Sequence, residues 1–316
     1  MNIVVLDAAT LGDDCPLNML DGLGQVTVWQ NTPPELVSQR IRNAEIVILN
    51  KVRANAQTLS EAHSLQLICV TATGYDNIDL DYCKSHNIGV SNVRGYSQHS
   101  VAQVTTAMVF SLVSHLQQYS RYVRTGAYTK SGIHNRLEPV YHEISGMTWG
   151  MIGMGNIGKV MASVAAAFGC RTLVCKKHPD PAYPCVDIDT LCRESDLITI
   201  HAPLNEGTKG LISRERIRLM KDGVILVNTA RGAIIDEAAV ADAVLSGKIG
   251  GFGTDVYPVE PMEEDSPLQR LCGLDQVIMT PHMAWGAYEA RVRCMDEVAE
   301  NIRAFQRGEL RNRLDR

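Results

Sequence analysis

The 316-residue sequence has no Cys-x-x-Cys pair, no excess of basic residues, no low-complexity tract or short internal repeat, and no apolar run long enough to span a bilayer. Each absence excludes something. The nine cysteines, Cys15 through Cys294, are scattered singly, many inside apolar runs such as Leu67-Ile68-Cys69-Val70. An odd number without tight spacing predicts reduced thiols and a cytoplasmic protein, and argues against a disulfide framework or a metal site. The formal charge of −5 offers no electrostatic footprint for nucleic acid or an anionic membrane surface. The apolar start Asn2–Leu6 is cut off at Asp7 and lacks a basic lead, so it reads as a first β-strand and not as a signal peptide. With no membrane span, small molecules remain the expected partners.

What is present describes a globular α/β chain. A hydrophobic content of 45% with 21% charged residues is ordinary for soluble domains, and the length suits two cores better than one. Short β-branched runs at 3–6, 26–29, 46–49, 67–70 and 88–90 alternate with helical patterns, one opened by Pro33-Pro34 and running to Arg42. This alternation predicts a parallel sheet covered on both faces. Residues 71–76 form a polar, glycine-bearing turn at a strand's carboxyl end, where open sheets bind ligands. A plain strand-to-helix turn is the competing reading. From Gln98 a helix apolar nearly all round is expected to run to about Tyr119, followed by an irregular connection over 124–145. Strands resume at 148–152, 171–175, 197–201, 224–228, 250–255 and 277–280. Helical spacing of Val292, Met295, Val298, Ile302 and Phe305 then marks a last helix that packs back on the first domain. The expected fold is therefore two doubly wound parallel-sheet, Rossmann-like domains, discontinuous in sequence: residues 1–97 plus 288–316, and residues 98–287, with a ligand site in the cleft between them.

The stretch 147–180 organises the second domain. A strand leads into Gly153-Met154-Gly155-Asn156-Ile157-Gly158, an Ala-rich helix and a second strand. Glycines alone are a weak signal, but glycines opening a helix straight after a strand can bring backbone N–H groups to a pyrophosphate. One part is missing. Where an acidic side chain is expected to hold the adenosine ribose, the chain has Lys176-Lys177-His178. The lysines can pair with the 2′-phosphate of NADP or point to solvent, and Asp180 is a further candidate for the ribose.

Three other segments end their strands in reactive side chains: Val227-Asn228-Thr229-Ala230-Arg231-Gly232, Thr254-Asp255-Val256-Tyr257-Pro258-Val259-Glu260-Pro261, and Met279-Thr280-Pro281-His282-Met283-Ala284-Trp285. Singly, each reads as a surface charge or turn chemistry. Together, at carboxyl ends of strands in the sheet that carries the glycine loop, they are expected to converge on one crevice.

In this order and spacing, the four segments resemble the D-isomer-specific 2-hydroxyacid dehydrogenases over essentially the whole chain. Glycerate dehydrogenases and hydroxypyruvate reductases carry a similar His-x-Ala-Trp run. The resemblance implies that Arg231 holds the substrate carboxylate and carbonyl oxygen, that His282 donates or accepts the proton, and that Glu260 pairs with His282. It implies cofactor contacts from Thr105, His201, Ala202, Pro203, Thr208, Thr229, Ala230 and Asp255, beside those read above from the residues themselves: Gly153, Gly155, Asn156 and Ile157 of the glycine loop, and Lys176 and Lys177. It implies substrate contacts from Ala72, Thr73 and Gly74. Trp285 is read as an aromatic wall of the substrate site or as a packed interface residue. A homodimer is implied too, with the helix after Val101 and the 124–145 connection as candidate contacts.

The chemistry fits these residues. Reduction of a 2-oxo acid builds negative charge on the carbonyl oxygen, which needs a cation and a proton nearby. Arg231 offers a charged fork matched to a carboxylate, and His282 can give the proton. The expected activity is NAD(P)H-dependent reduction of a small 2-oxo acid to the D-2-hydroxy acid, hydroxypyruvate or glyoxylate first, with NADP preferred over NAD. Two alternatives on the same fold are a nucleotide-sensing interaction module and a formate- or phosphite-type dehydrogenase. With 34 residues after His282 (316 − 282), the regulatory domain found in many phosphoglycerate-handling relatives is not expected.

Overall fold

The computed structural model describes residues 1–178 and 181–316. Asp180, the candidate ribose contact, lies outside the described residues, as does Pro179. The chain divides into two compact units, Met1–Ser97 with Trp285–Arg316, and Gln98–Ala284. The sequence places the second crossing after residue 287. In the structure Trp285 and Ala287 already pack on the core of the first unit, which moves the crossing to 284/285.

The first unit is a parallel sheet of β1 (Asn2–Val5), β2 (Gln25–Val28), β3 (Ile46–Leu49), β4 (Leu67–Val70) and β5 (Gly89–Ser91), in the order β2-β1-β3-β4-β5. Central β3 and β4 are buried at every position, as expected for strands covered on both faces. Strand periodicity sorts their side chains: Ile46, Ile48, Leu67 and Cys69 enter one core, Val47, Leu49, Ile68 and Val70 the other. The first core is closed by the helix Tyr288–Gln306 through Cys294, Met295, Val298 and Ile302. After Gln306 the chain leaves the helix and runs beside β5, where Leu314 N donates to Val90 O (2.8 Å) and Asp315 Oδ1 accepts from Val90 N (2.9 Å). The helix expected from Pro33 to Arg42 is instead a 3-10 turn, Pro34–Leu36, and a helix, Val37–Ile41.

The second unit contains β6 (Thr148–Ile152), β7 (Arg171–Cys175), β8 (Leu197–Ile200), β9 (Val224–Asn228), β10 (Ile249–Thr254) and β11 (Val277–Met279). All pair in parallel, in the order β11-β10-β9-β8-β6-β7. The order reverses between β6 and β8, so the turns after these two strands flank the switch point where such sheets bind ligands. The single helix expected from Gln98 to Tyr119 is two, Gln98–Val113 and Leu116–Arg124, broken at His115 in a left-handed conformation (φ 50°). Its first half lies close on β10: a Cβ at Gly251 would stand 3.2 Å from Leu112, and one at Gly253 3.2 Å from Met108 Sδ. Among the described residues no helix is long and apolar enough to cross a membrane, and no group of three or more His, Cys, Asp or Glu could hold a metal ion.

Candidate active site

The three glycines after β6 have separate tasks. Gly153 turns the chain with φ 93°, and a Cβ there would come within 2.7 Å of Ala202 N, a combination that only glycine tolerates. A Cβ at Gly158 would lie 2.6 Å from Gly153 O, so the helix can approach the turn only at this glycine. Around Gly155 the space is open, and no side chain caps the helix Asn156–Ala167 that it begins. The N–H groups of Asn156 and Ile157 therefore sit in the first turn of an uncapped helix, which suits them to an anionic ligand. These residues fit a dinucleotide. Gly153 N also donates to Cys175 O (2.8 Å), so β7 delivers half-buried Lys176 and exposed Lys177 beside the glycine turn.

Across the switch point stands His201, whose N–H donates to Ile152 O (2.7 Å). The Trp149 indole donates to Thr199 Oγ1 (3.1 Å), which lies 2.9 Å from His201 Nε2, while His201 Nδ1 is buried with no partner among the described residues. Thr199 accepts from the indole and can direct its own hydrogen to Nε2, an arrangement that places the imidazole proton on Nδ1. Burial pushes the imidazole down to about 4, so it is neutral in the physiological range. An unfolded histidine protonates near 6.5, so between about 6.5 and 4 the unfolded chain binds more protons and stability falls with falling pH, by up to about 1.4 kcal/mol per pH unit. His201→Asn is expected to flatten that part of the stability profile in denaturant melts; an unchanged descent contradicts the assignment. Ala202 is buried and Pro203 exposed, and Thr208 Oγ1 closes their loop by donating to Pro203 O (2.7 Å).

The ends of β9, β10 and β11 are knitted together. Asn228 is fully buried; its Oδ1 accepts from Ala230 N (3.1 Å) and its Nδ2 donates to Arg231 O (2.9 Å), which fixes the backbone on both sides of the bend. Arg231 Nη1 donates to Ala230 O (2.8 Å). Gly232 follows because a Cβ there would collide with the backbone of Tyr257 and Pro258, so the Arg231 and Glu260 segments interlock. Glu260 Oε1 accepts from Tyr257 N (3.2 Å), and Glu260 Oε2 lies 2.6 Å from His282 Nδ1. The Tyr257 phenol donates to Thr280 O (3.1 Å), and burial, followed by the Asp255 charge, pushes it up to about 12, which keeps it a donor. With Nδ1–H committed to Glu260, Nε2 of His282 is the atom that can carry or take a proton. The pair is about a quarter exposed. His282 itself is left-handed (φ 54°), a conformation that costs a non-glycine residue roughly 1–2 kcal/mol.

Thr105 is wholly buried; it donates to Val101 O (2.8 Å) and lies 2.8 Å from the Thr229 hydroxyl, so it stands behind Thr229 and supports it. Asp255 is buried, with its carboxylate bonded to Thr280, Met283 and Ala284. In the first unit, Val93 N donates to Ala72 O (3.0 Å) and Asn92 Nδ2 to Thr73 O (2.7 Å), which stiffens the turn through Gly74. Trp285 is half-buried and packs edge-on to Tyr96 in that unit's core (centroids 6.2 Å apart). Sequence reasoning gave no role to Asn228, Thr199 or Thr280, although Asn228 and Thr280 stand in segments it singled out. Each is a polar residue within or just past a β-branched run, and that misfit was the available signal.

Comparison with known proteins identifies the family. Residues 106–284 match the D-isomer specific 2-hydroxyacid dehydrogenase, NAD binding domain. The chain is 38% identical over 283 residues to a glycerate dehydrogenase of Methylorubrum extorquens, covering 89% of this chain and 88% of that one. It is 33% identical over 317 residues to a hydroxypyruvate reductase of Blautia hydrogenotrophica, covering 98% of each. A D-lactate dehydrogenase from Aquifex aeolicus, solved with NAD and lactic acid, superposes with a TM-score of 0.85 at 30% identity, over 98% of this chain and 96% of that one. The glycine loop, the knitted strand ends and these likenesses lead to one statement: the chain belongs to the D-isomer specific 2-hydroxyacid dehydrogenases, a family of nicotinamide-dependent oxidoreductases.

Proposed function

We propose that the protein reduces a small 2-oxo acid, hydroxypyruvate or glyoxylate, to its D-2-hydroxy acid. The observation that carries this reading is the Glu260–His282 contact of 2.6 Å on strand ends interlocked with the Arg231 bend. The glycerate dehydrogenase and hydroxypyruvate reductase relatives support the choice of substrate. Bound nicotinamide supplies the hydride for the carbonyl carbon. Arg231 binds the carboxylate and stabilises the charge growing on the carbonyl oxygen. His282 Nε2 delivers the proton to that oxygen, and Glu260 holds Nδ1–H and balances the imidazolium before transfer. Reduction uses protonated His282 and oxidation uses neutral His282, so the two directions have opposite pH preferences. Ala72, Thr73 and Gly74 are assigned to the substrate carboxylate by the same family reading. A steady-state screen of hydroxypyruvate, glyoxylate, pyruvate and phenylpyruvate with NADH and NADPH tests the proposal: turnover is expected to be highest with one of the first two, and no turnover of any would sink it.

For the cofactor, Lys176 and Lys177 support a preference for NADPH, because β7 ends in cations where an acidic residue would repel a 2′-phosphate. Contacts of this kind are worth about 1 kcal/mol each, a preference and not an absolute selection. Lys176→Asp is expected to shift the NADPH:NADH ratio of kcat/KM toward NADH by roughly tenfold; an unchanged ratio would remove the lysine from the cofactor site. The free thiols support a cytoplasmic location. A homodimer is supported by the apolar side chains exposed along 116–141, among them Val123, Ile133, Leu137 and Val140; sedimentation is expected to give twice the chain mass, and a monomer mass at micromolar concentration would contradict it.

A further inference from the structure

His282 occupies a left-handed backbone conformation (φ 54°) that costs a non-glycine residue roughly 1–2 kcal/mol. Such outliers persist only where the surroundings over-determine them. Here one side chain binds the turn on both sides of the histidine. The Asp255 carboxylate accepts from Thr280 Oγ1 (2.6 Å) and Met283 N (2.8 Å) at Oδ1, and from Ala284 N (2.8 Å) at Oδ2. Its three donors bracket His282 on both sides. His282 N donates to Thr280 O (3.1 Å), which closes the turn, and Ser100 Oγ donates to Ala284 O (2.6 Å), which anchors its far end. Asp255 is itself only 1% exposed, and its N–H is tied to Asn228 O (3.1 Å), so the clamp is mounted on the buried carboxyl edge of the sheet.

We propose that Asp255 is a positioning residue for the reaction: its carboxylate locks the 280–284 turn and thereby fixes the left-handed backbone from which His282 reaches Glu260. The role assigned to Asp255 from family resemblance is a cofactor contact, which accounts for neither the occupation of both oxygens by this turn nor the conformation of His282. Only a carboxylate suits the position. Asparagine would keep one acceptor oxygen and set an NH2 group against a backbone N–H, so part of the clamp must open. Once it opens, His282 can relax toward an ordinary backbone conformation and its ring leaves Glu260. Displacement of a reacting group by about 1 Å costs roughly 100-fold in rate.

The inference rests on the reading of His282 as proton donor, and the experiment separates the two. In the full-length protein, the His282 Nδ1–H resonance reports the bond to Glu260 directly, with no need for turnover. It is expected far downfield in the wild type and absent in Asp255→Asn. Its survival in Asp255→Asn overturns the proposal, whatever the enzyme reduces. In steady state, Asp255→Asn is expected to lose about 100-fold in kcat at saturating cofactor, with the NADPH Kd from fluorescence titration near the wild-type value. A weakened Kd with kcat retained would make Asp255 a cofactor contact only. Thr280→Val removes one donor and leaves the carboxylate in place, so it tests the clamp even if Asp255→Asn fails to fold. It is expected to lower kcat about tenfold, with Thr280→Ser restoring it; wild-type kcat in Thr280→Val overturns the proposal. Failure of the reaction reading appears elsewhere, as a wild-type protein that reduces no 2-oxo acid.

Discussion

His282→Gln is expected to lower kcat for 2-oxo acid reduction by about 10²–10⁴-fold while leaving nucleotide binding intact. Glutamine keeps a polar group near Glu260 but cannot carry a transferable proton at the position of Nε2. The loss should therefore fall on the chemical step and not on KM alone. The quarter-exposed setting of the pair matters, because solvent can still reach the site and supply protons slowly. Residual activity in His282→Gln is then expected to lose the opposing pH preferences of the two directions. Glu260→Gln, which keeps the ring and weakens its partner, should be milder than His282→Gln. A His282→Gln enzyme with wild-type kcat would remove the proton donor from the proposal.

Arg231→Ala is the second large effect, and it should appear chiefly in kcat/KM. A guanidinium that binds a carboxylate through two charge-assisted hydrogen bonds contributes about 1.5–3 kcal/mol per bond, so truncation is expected to cost about 10²–10⁴-fold. Arg231→Lys should recover only part of this, since an ammonium restores the charge but not the planar fork. The backbone at this site is held independently by Asn228, whose amide bonds to both Ala230 N and Arg231 O, so the bend should survive the substitution. Unchanged turnover in Arg231→Ala would take the substrate anchor away.

Much of this architecture was legible in the sequence because the features that create it are local. The β-branched runs of β3, β4 and β9 mark buried strands, and the glycine pattern after β6 marks a turn that requires glycine at Gly153 and Gly158. Arg231, Glu260 and His282 stand at strand ends, so a parallel sheet brings their segments together without further information. What was not legible depends on partners distant in the chain. The helix break at His115 carries no proline or glycine to announce it. The need for Gly232 arises from the Tyr257–Pro258 backbone crossing above it, and the burial of Thr105 behind Thr229 depends on where a helix lies on the sheet. Asp255 is the clearest case. It reads from sequence as a ligand contact, and only the three donors from Thr280, Met283 and Ala284 reveal its hold on the histidine turn.

The central claim is hydride addition to one face of a 2-oxo acid with proton delivery from His282. The most direct measurement is the configuration of the glycerate formed when the wild-type protein consumes hydroxypyruvate with NADPH. D-glycerate, formed mole for mole with the nucleotide oxidised, is the result predicted. L-glycerate, a racemic product, or oxidation of the nucleotide without glycerate would contradict it.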